Sequence, residues 1–198
     1  MESPQHWPLP QAAALRDELA AAYAGPGRHY HGTLHLTEVL ARLEELARAG
    51  IEYDTLPVEL AAWFHDAVYD GERDAEERSA TWAELDLPPY VGEETAAEVA
   101  RLVRLTETHQ PAEDDANGAA LSDADLGILA ADRARYDEYA AAVRREYAHV
   151  GEEEFRIGRV QVLTTLLNRD PLFHTAHGRE AWQGPARANM QRELDALA

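Results

Sequence analysis

Arg28-His-Tyr-His-Gly-Thr-Leu-His35 runs straight into Leu36-Thr-Glu-Val-Leu-Ala-Arg-Leu-Glu-Glu-Leu-Ala47, and this stretch decides the fold. Leu36, Val39, Leu40, Leu43, Leu46 and Ala47 recur at helical spacing, with Arg42, Glu44 and Glu45 on the other side. Thr33 is the expected N-cap. His31 then sits just before the helix and His35 in its first turn, so that two imidazoles face one cavity. Imidazoles so placed need acidic partners. Acids inside otherwise apolar runs occur at His65-Asp66 and at Asp123-Ala124-Asp125, where a carboxylate is costly unless something pairs with it. Three distant segments are therefore expected to converge on one metal-centred site.

The segments around these also read as helices. Gln11 to Tyr23 is alanine-rich and ends at Gly25-Pro26-Gly27. Pro57 opens a helix expected to run through Phe64 and Val68 to Tyr69, with His65 on the stripe of Val58, Ala61 and Ala62. Asp74 to Leu85 resumes helical spacing, and Pro88-Pro89 is read as its stop. Glu93 to Thr108 is amphipathic with an acidic first turn, which suits the helix dipole. Gln110 to Gly118 reads as a polar loop; its resemblance to a calcium loop fails because the twelfth position is Ala124 rather than glutamate. Leu121 to Leu129, Asp132 to Tyr147, Glu152 to Leu167 and Trp182 to Leu197 complete the set. No useful period-2 alternation and no internal repeat interrupts them. The expectation is an all-α, single-domain helical bundle over residues 1–198, without a composition shift to mark a boundary.

Composition removes several chemistries. A chain of 198 residues can bury a core without staples. It has no cysteine, so disulfides, thiolate metal sites and a cysteine nucleophile are excluded. All 18 basic residues are arginine, and without lysine neither a P-loop nor Schiff-base chemistry is available. The formal net charge of -19 repels polyanions and argues against long nucleic acid as a partner. A small phosphorylated ligand remains compatible, because one metal ion and a few arginines can reverse the potential inside a pocket. Met1-Glu2-Ser3-Pro4 has no basic or apolar leader character, and no apolar run reaches membrane-spanning length. A cytoplasmic protein with no membrane partner is expected, with a homodimer left open.

The set His35, His65-Asp66 and Asp125, in that order, resembles the metal-binding pattern of the histidine-aspartate phosphohydrolase superfamily, the HD domain, over about residues 28–130, with residues 131–198 as a helical C-terminal extension. Tyr30-His31-Gly32-Thr33-Leu34-His35 is similar to the matching segment of the cyclic-nucleotide phosphodiesterases. The Arg28-His29-Tyr30-His31 start and long helical C-terminal half also resemble a bacterial group of metal-dependent HD phosphohydrolases. The resemblance implies that His35, His65, Asp66 and Asp125 hold a divalent metal and that His31 protonates the leaving oxygen. Mn, Mg, Fe, Co, Ni and Zn are not distinguished. The implied reaction is hydrolysis of a small nucleotide or related phosphate ester by metal-activated water.

Around that core, Asp70 is the candidate to orient or deprotonate the water, being placed one helical turn after Asp66. His109, with Glu77 as a weaker candidate, is available for a second metal or for support of the first. Arg28 is the candidate to grip a substrate phosphate. Asp123 is read as an N-cap for the helix that carries Asp125. The alternatives are a di-iron HD oxygenase, which needs more histidines than the sequence offers, and a non-catalytic metal- or nucleotide-binding regulatory module.

Overall fold

A computed structural model describes residues 6–71 and 73–198. Met1–Pro4, on which the leader expectation rests, lies outside them. Among the described residues there is no strand, and the chain is an all-α bundle. After a single 3₁₀ turn, α1 (Ala13–Tyr23) and α2 (Thr33–Arg48) follow the periodicity read from the sequence. Gly32, not Thr33, is the N-cap of α2, and Thr33 is its first helical residue. α3 (Thr55–Phe64) is buried from Leu60 to its end and is followed by α4 (Ala75–Asp86). Pro88-Pro89 does not merely stop α4. It opens the short α5 (Pro88–Val91), because proline fits the first turn of a helix, where no N–H partner is needed.

α6 (Glu93–Leu105) carries the acidic first turn. α7 (Ala116–Leu126) starts earlier than the apolar pattern suggests, capped by Asp115, whose side chain accepts from Gly118 N. α8 (Arg133–Glu146) is capped by Asp132 through Arg135 N, and α9 (Glu152–Leu167) lies at the periphery, burying only Arg159 and Leu163. A π-helical turn, Gly178–Trp182, leads into α10 (Gln183–Leu197). The buried apolar side chains form one cluster that extends from Leu9 to Met190. No helix of the described residues is long and apolar enough to cross a membrane.

The largest departure from expectation is the end of α3. The helix stops at Phe64, with His65 as its C-cap, so Asp66 and Asp70 do not share a helical face. The cause is non-local. Arg28 Nη1 donates to the Asp66 carbonyl at 2.6 Å and Nη2 to the Ala67 carbonyl at 2.8 Å, while Val68 N donates to Ser79 Oγ at 3.0 Å. Backbone groups that would have continued the helix are satisfied elsewhere.

Candidate metal centre

His35 projects from the first turn of α2, and His65 and Asp66 from the turn that ends α3. Their ligand atoms lie within 4.8 Å of one another, and the trio could hold a metal ion. The two histidine Nε2 atoms are 3.1 Å apart. Asp66 Oδ2 lies 3.3 Å from His35 Nε2 and 3.2 Å from His65 Nε2. Metal–ligand bonds of about 2.0–2.2 Å set neighbouring donors roughly 3–3.6 Å apart, and the trio meets that spacing. A second observation supports the fit: Asp66 Oδ2 is buried and receives no well-aligned hydrogen bond.

The surroundings fix the donors. His65 Nδ1 is 2.7 Å from the Ala62 carbonyl, to which it donates, and this turns Nε2 toward the trio. Asp66 N donates to Tyr23 Oη at 3.2 Å. From α7, Asp125 Oδ1 reaches within 3.1 Å of His35 Nε2 and 3.8 Å of His65 Nε2. Its other oxygen meets His109 Nε2 at 2.8 Å. His109 thus supports Asp125 from the side away from His35, held at a φ of 51° with its carbonyl accepting from His174 Nε2.

The electrostatics are those of a tightly packed ionic group. Burial pushes the Asp66 and Asp125 carboxyls up, but the His65 charge acting on both outweighs it, helped by the bond from His109 to Asp125. Both lie well below the usual carboxylate range. Burial opposes a charge on His35, yet Asp125 and then Asp66, with their carboxylates against its Nε2, raise it to about 9. His65 is raised as well, burial being outweighed chiefly by the Asp66 charge.

His31 stands beside this group, its ring centroid 5.8 Å from that of His35 and stacked on Tyr69 at 4.2 Å. Its Nδ1 is 2.6 Å from Glu146 Oε2. Glu146 Oε1 also accepts from the backbone N–H groups of Tyr30 and His31 at 2.7 and 2.9 Å, so one carboxylate sets both the ring and its loop. The sequence reading missed Glu146. A signal was present, since Tyr136, Tyr139, Val143 and Glu146 fall on one stripe of α8 whose first three members are buried, the same pattern that singled out His65.

Four further candidates do other work. Asp70 does not share the Asp66 face; its carboxylate pairs with Arg78 through two bonds of 2.7 Å, because α3 has already ended. Glu77 projects from α4 toward Arg104, which bridges it to Glu84 on the surface. Arg28 Nη1 and Nη2 serve the carbonyls of His31, Asp66 and Ala67, so the side chain braces the two halves of the site rather than reaching outward. Asp123 is not an N-cap, because α7 begins seven residues before it, at Ala116. It is fully buried in mid-helix and accepts from His174 N, Thr175 N and Thr175 Oγ1 at 2.7, 2.8 and 2.7 Å.

The fold and site together define an all-α bundle with a buried histidine–aspartate trio able to take a metal ion. No family model, curated protein or solved structure matches the chain.

Proposed function

We propose that this chain is a metal-dependent phosphohydrolase of the HD kind, acting on a small nucleotide or related phosphate ester. One observation carries the reading: a trio spaced for a divalent ion stands next to a histidine–glutamate pair placed for proton transfer. A metal-binding module without turnover would need no proton donor at that place, which favours the enzyme reading over it. His35, His65 and Asp66 would hold the ion, with Asp125 as a fourth ligand oriented by His109. When bound, a divalent ion polarises a phosphoryl oxygen and lowers the pKa of water. Glu146 holds the His31 ring by Nδ1, leaving the other ring nitrogen to pass a proton to the departing oxygen. Arg28 keeps the His31 loop and the Asp66 turn in register.

The test is to quantify metal in the purified protein and to assay nucleotides and generic phosphodiesters with Mn, Mg, Fe, Co, Ni or Zn added. Asp66→Ala should lose both metal and turnover. His31→Ala should keep metal yet lose turnover of esters with poor leaving groups. Metal content and activity unchanged in Asp66→Ala and Asp125→Ala would remove the reading.

A further inference from the structure

A second feature borders His31. Between α8 and α9 lies a cavity of about 390 Å³ whose wall includes Tyr30, His31, Tyr139, Tyr147, Phe155 and Gly158. The rings are mutually braced. Tyr30 packs edge-on against Tyr139 at 4.6 Å and against His31 at 4.7 Å. Tyr147 and Phe155 are 6.1 Å apart, and the Arg144 guanidinium lies 4.6 Å over Phe155. The floor is fixed by Arg159, which is bound to Glu193 and to Tyr139 Oη. Such a volume lies within the ordinary range for small-molecule sites. The cleft on the Tyr69 side of the pair carries Asp70, Asp74, Glu76 and Glu146 together with Arg73, Tyr147 and His149. The two sides of the proton-transfer pair therefore differ in chemistry, one mainly apolar and aromatic, the other rich in charged groups.

Gly158 stands at the exposed edge of the cavity. Residues 154, 155, 158, 159 and 162 of α9 all border it, a spacing that makes one helical face and puts position 158 within that face. A glycine in a helix interior weakens the helix. Here a Cβ at this position would meet nothing within 4 Å, so the missing side chain leaves open space in the wall.

We propose that this cavity seats a planar aromatic ring of nucleobase size, carried on the substrate's leaving group. The proposal rests on the phosphohydrolase reading for the words "leaving group". The ring's place is argued from the cavity alone. A leaving oxygen within reach of His31 puts the rest of that group on the side His31 lines, and a wall built largely of aromatic and apolar side chains favours a ring over a sugar or an alkyl chain. The overall charge of -19 disfavours a polyanionic polymer, and the size of the cavity suits a mononucleoside unit.

The experiment titrates the full chain with adenosine and with ribose, following binding by saturation-transfer NMR and calorimetry, in the wild type, Gly158→Ala and Gly158→Leu. Both variants should fold, since each replaces a mid-helix glycine with a better helix former, and a melting curve verifies it. Adenosine should bind saturably and ribose should not; Gly158→Leu should weaken adenosine by roughly tenfold or more, with Gly158→Ala between. Absence of saturable adenosine binding, or equal affinity in a folded Gly158→Leu, would overturn the proposal. The two readings fail separately. Adenosine binding without hydrolysis of any ester under any metal sinks the phosphohydrolase and spares the ring site. Hydrolysis with one KM for nucleoside and ethyl esters in both wild type and Gly158→Leu does the reverse.

Discussion

Asp123→Ala separates two accounts of one carboxylate by magnitude. As a helix cap, Asp123 would be worth about 1 kcal/mol. The structure instead makes it a fully buried acceptor for three donors on the segment after α9. Thr175 Oγ1 in turn accepts from Gly178 N at 2.9 Å, and a Cβ on Gly178 would lie 2.5 Å from Asp123 Oδ2, so the backbone has closed tightly on the carboxylate. Hydrogen bonds to a charged group contribute about 1.5–3 kcal/mol each when their partner is deleted, less the desolvation of the carboxylate that the mutation relieves. That relief is substantial, because burial raises the Asp123 pKa despite the bonds from His174 and Thr175. The net loss expected is about 3–5 kcal/mol. At about 2–4 °C per kcal/mol for a chain of this size, Tm should fall by about 6–20 °C.

Thermal and urea denaturation followed by circular dichroism measure the loss. Asp123→Asn keeps the volume but turns an amide toward backbone donors, so it should also destabilise, by a smaller amount. Asp123→Ala and Thr175→Val should be strongly non-additive, since both act on the same contact. A drop of about 1 kcal/mol or less in Asp123→Ala would refute the anchoring role and return the residue to a local one.

Glu146→Gln tests the pair at His31. Burial pushes the Glu146 carboxyl up, but the His31 bond and charge and the N–H groups of Tyr30 and His31 outweigh it, so its folded pKa is depressed. A depressed acid stabilises the fold above its unfolded pKa of about 4.3, and that contribution is lost as pH falls through the folded value. The variant should therefore be less stable than wild type at about pH 6–7, with the gap closing below about pH 4 in a series of urea midpoints. A gap independent of pH would mean that the charge is not what matters. Arg28→Ala should cost about 2–4 kcal/mol, because bonds to the His31, Asp66 and Ala67 carbonyls go together. Arg28→Lys should rescue little of it, since an ammonium does not present a planar fork. Full stability of the lysine variant would show that charge alone suffices at this position.

The helices were legible wherever an apolar stripe runs uninterrupted. α2 appears where Leu36, Val39, Leu40 and Leu43 place it, and α6 follows Ala96, Val99, Ala100 and Val103. His65 was legible for the opposite reason, as a polar group on a stripe that should be apolar, with Asp66 as the costly acid beside it and His35 as the imidazole in the first turn of α2. What the sequence withheld is carried by contacts between distant residues. α3 ends early because Arg28, 38 residues before Asp66, takes its carbonyl. Asp123 is buried because a segment 51 residues later supplies donors. Glu146 acts on a ring 115 residues away. Local propensity gives each of these residues an ordinary role, as cap or surface charge, and only tertiary packing overrides it.

These long-range contacts also divide the site by origin. α2 and the end of α3 supply the atoms that could hold a metal, and α7 sets Asp125 beside them. α8 and α9 supply the carboxylate on His31 and the aromatic wall beside it. The segment 131–198 is therefore not an appendage to a self-sufficient metal core, because without Glu146 the His31 loop loses the acceptor for two of its backbone N–H groups. A donor group tolerates little displacement, since metal–ligand distances vary by only a few tenths of an ångström. The α8–α9 wall tolerates more, because a side chain there can change the shape of the cavity without moving His35, His65 or Asp66. On the proposed function, change in leaving-group preference would then be confined to α8 and α9, with metal retention left to the helices before them.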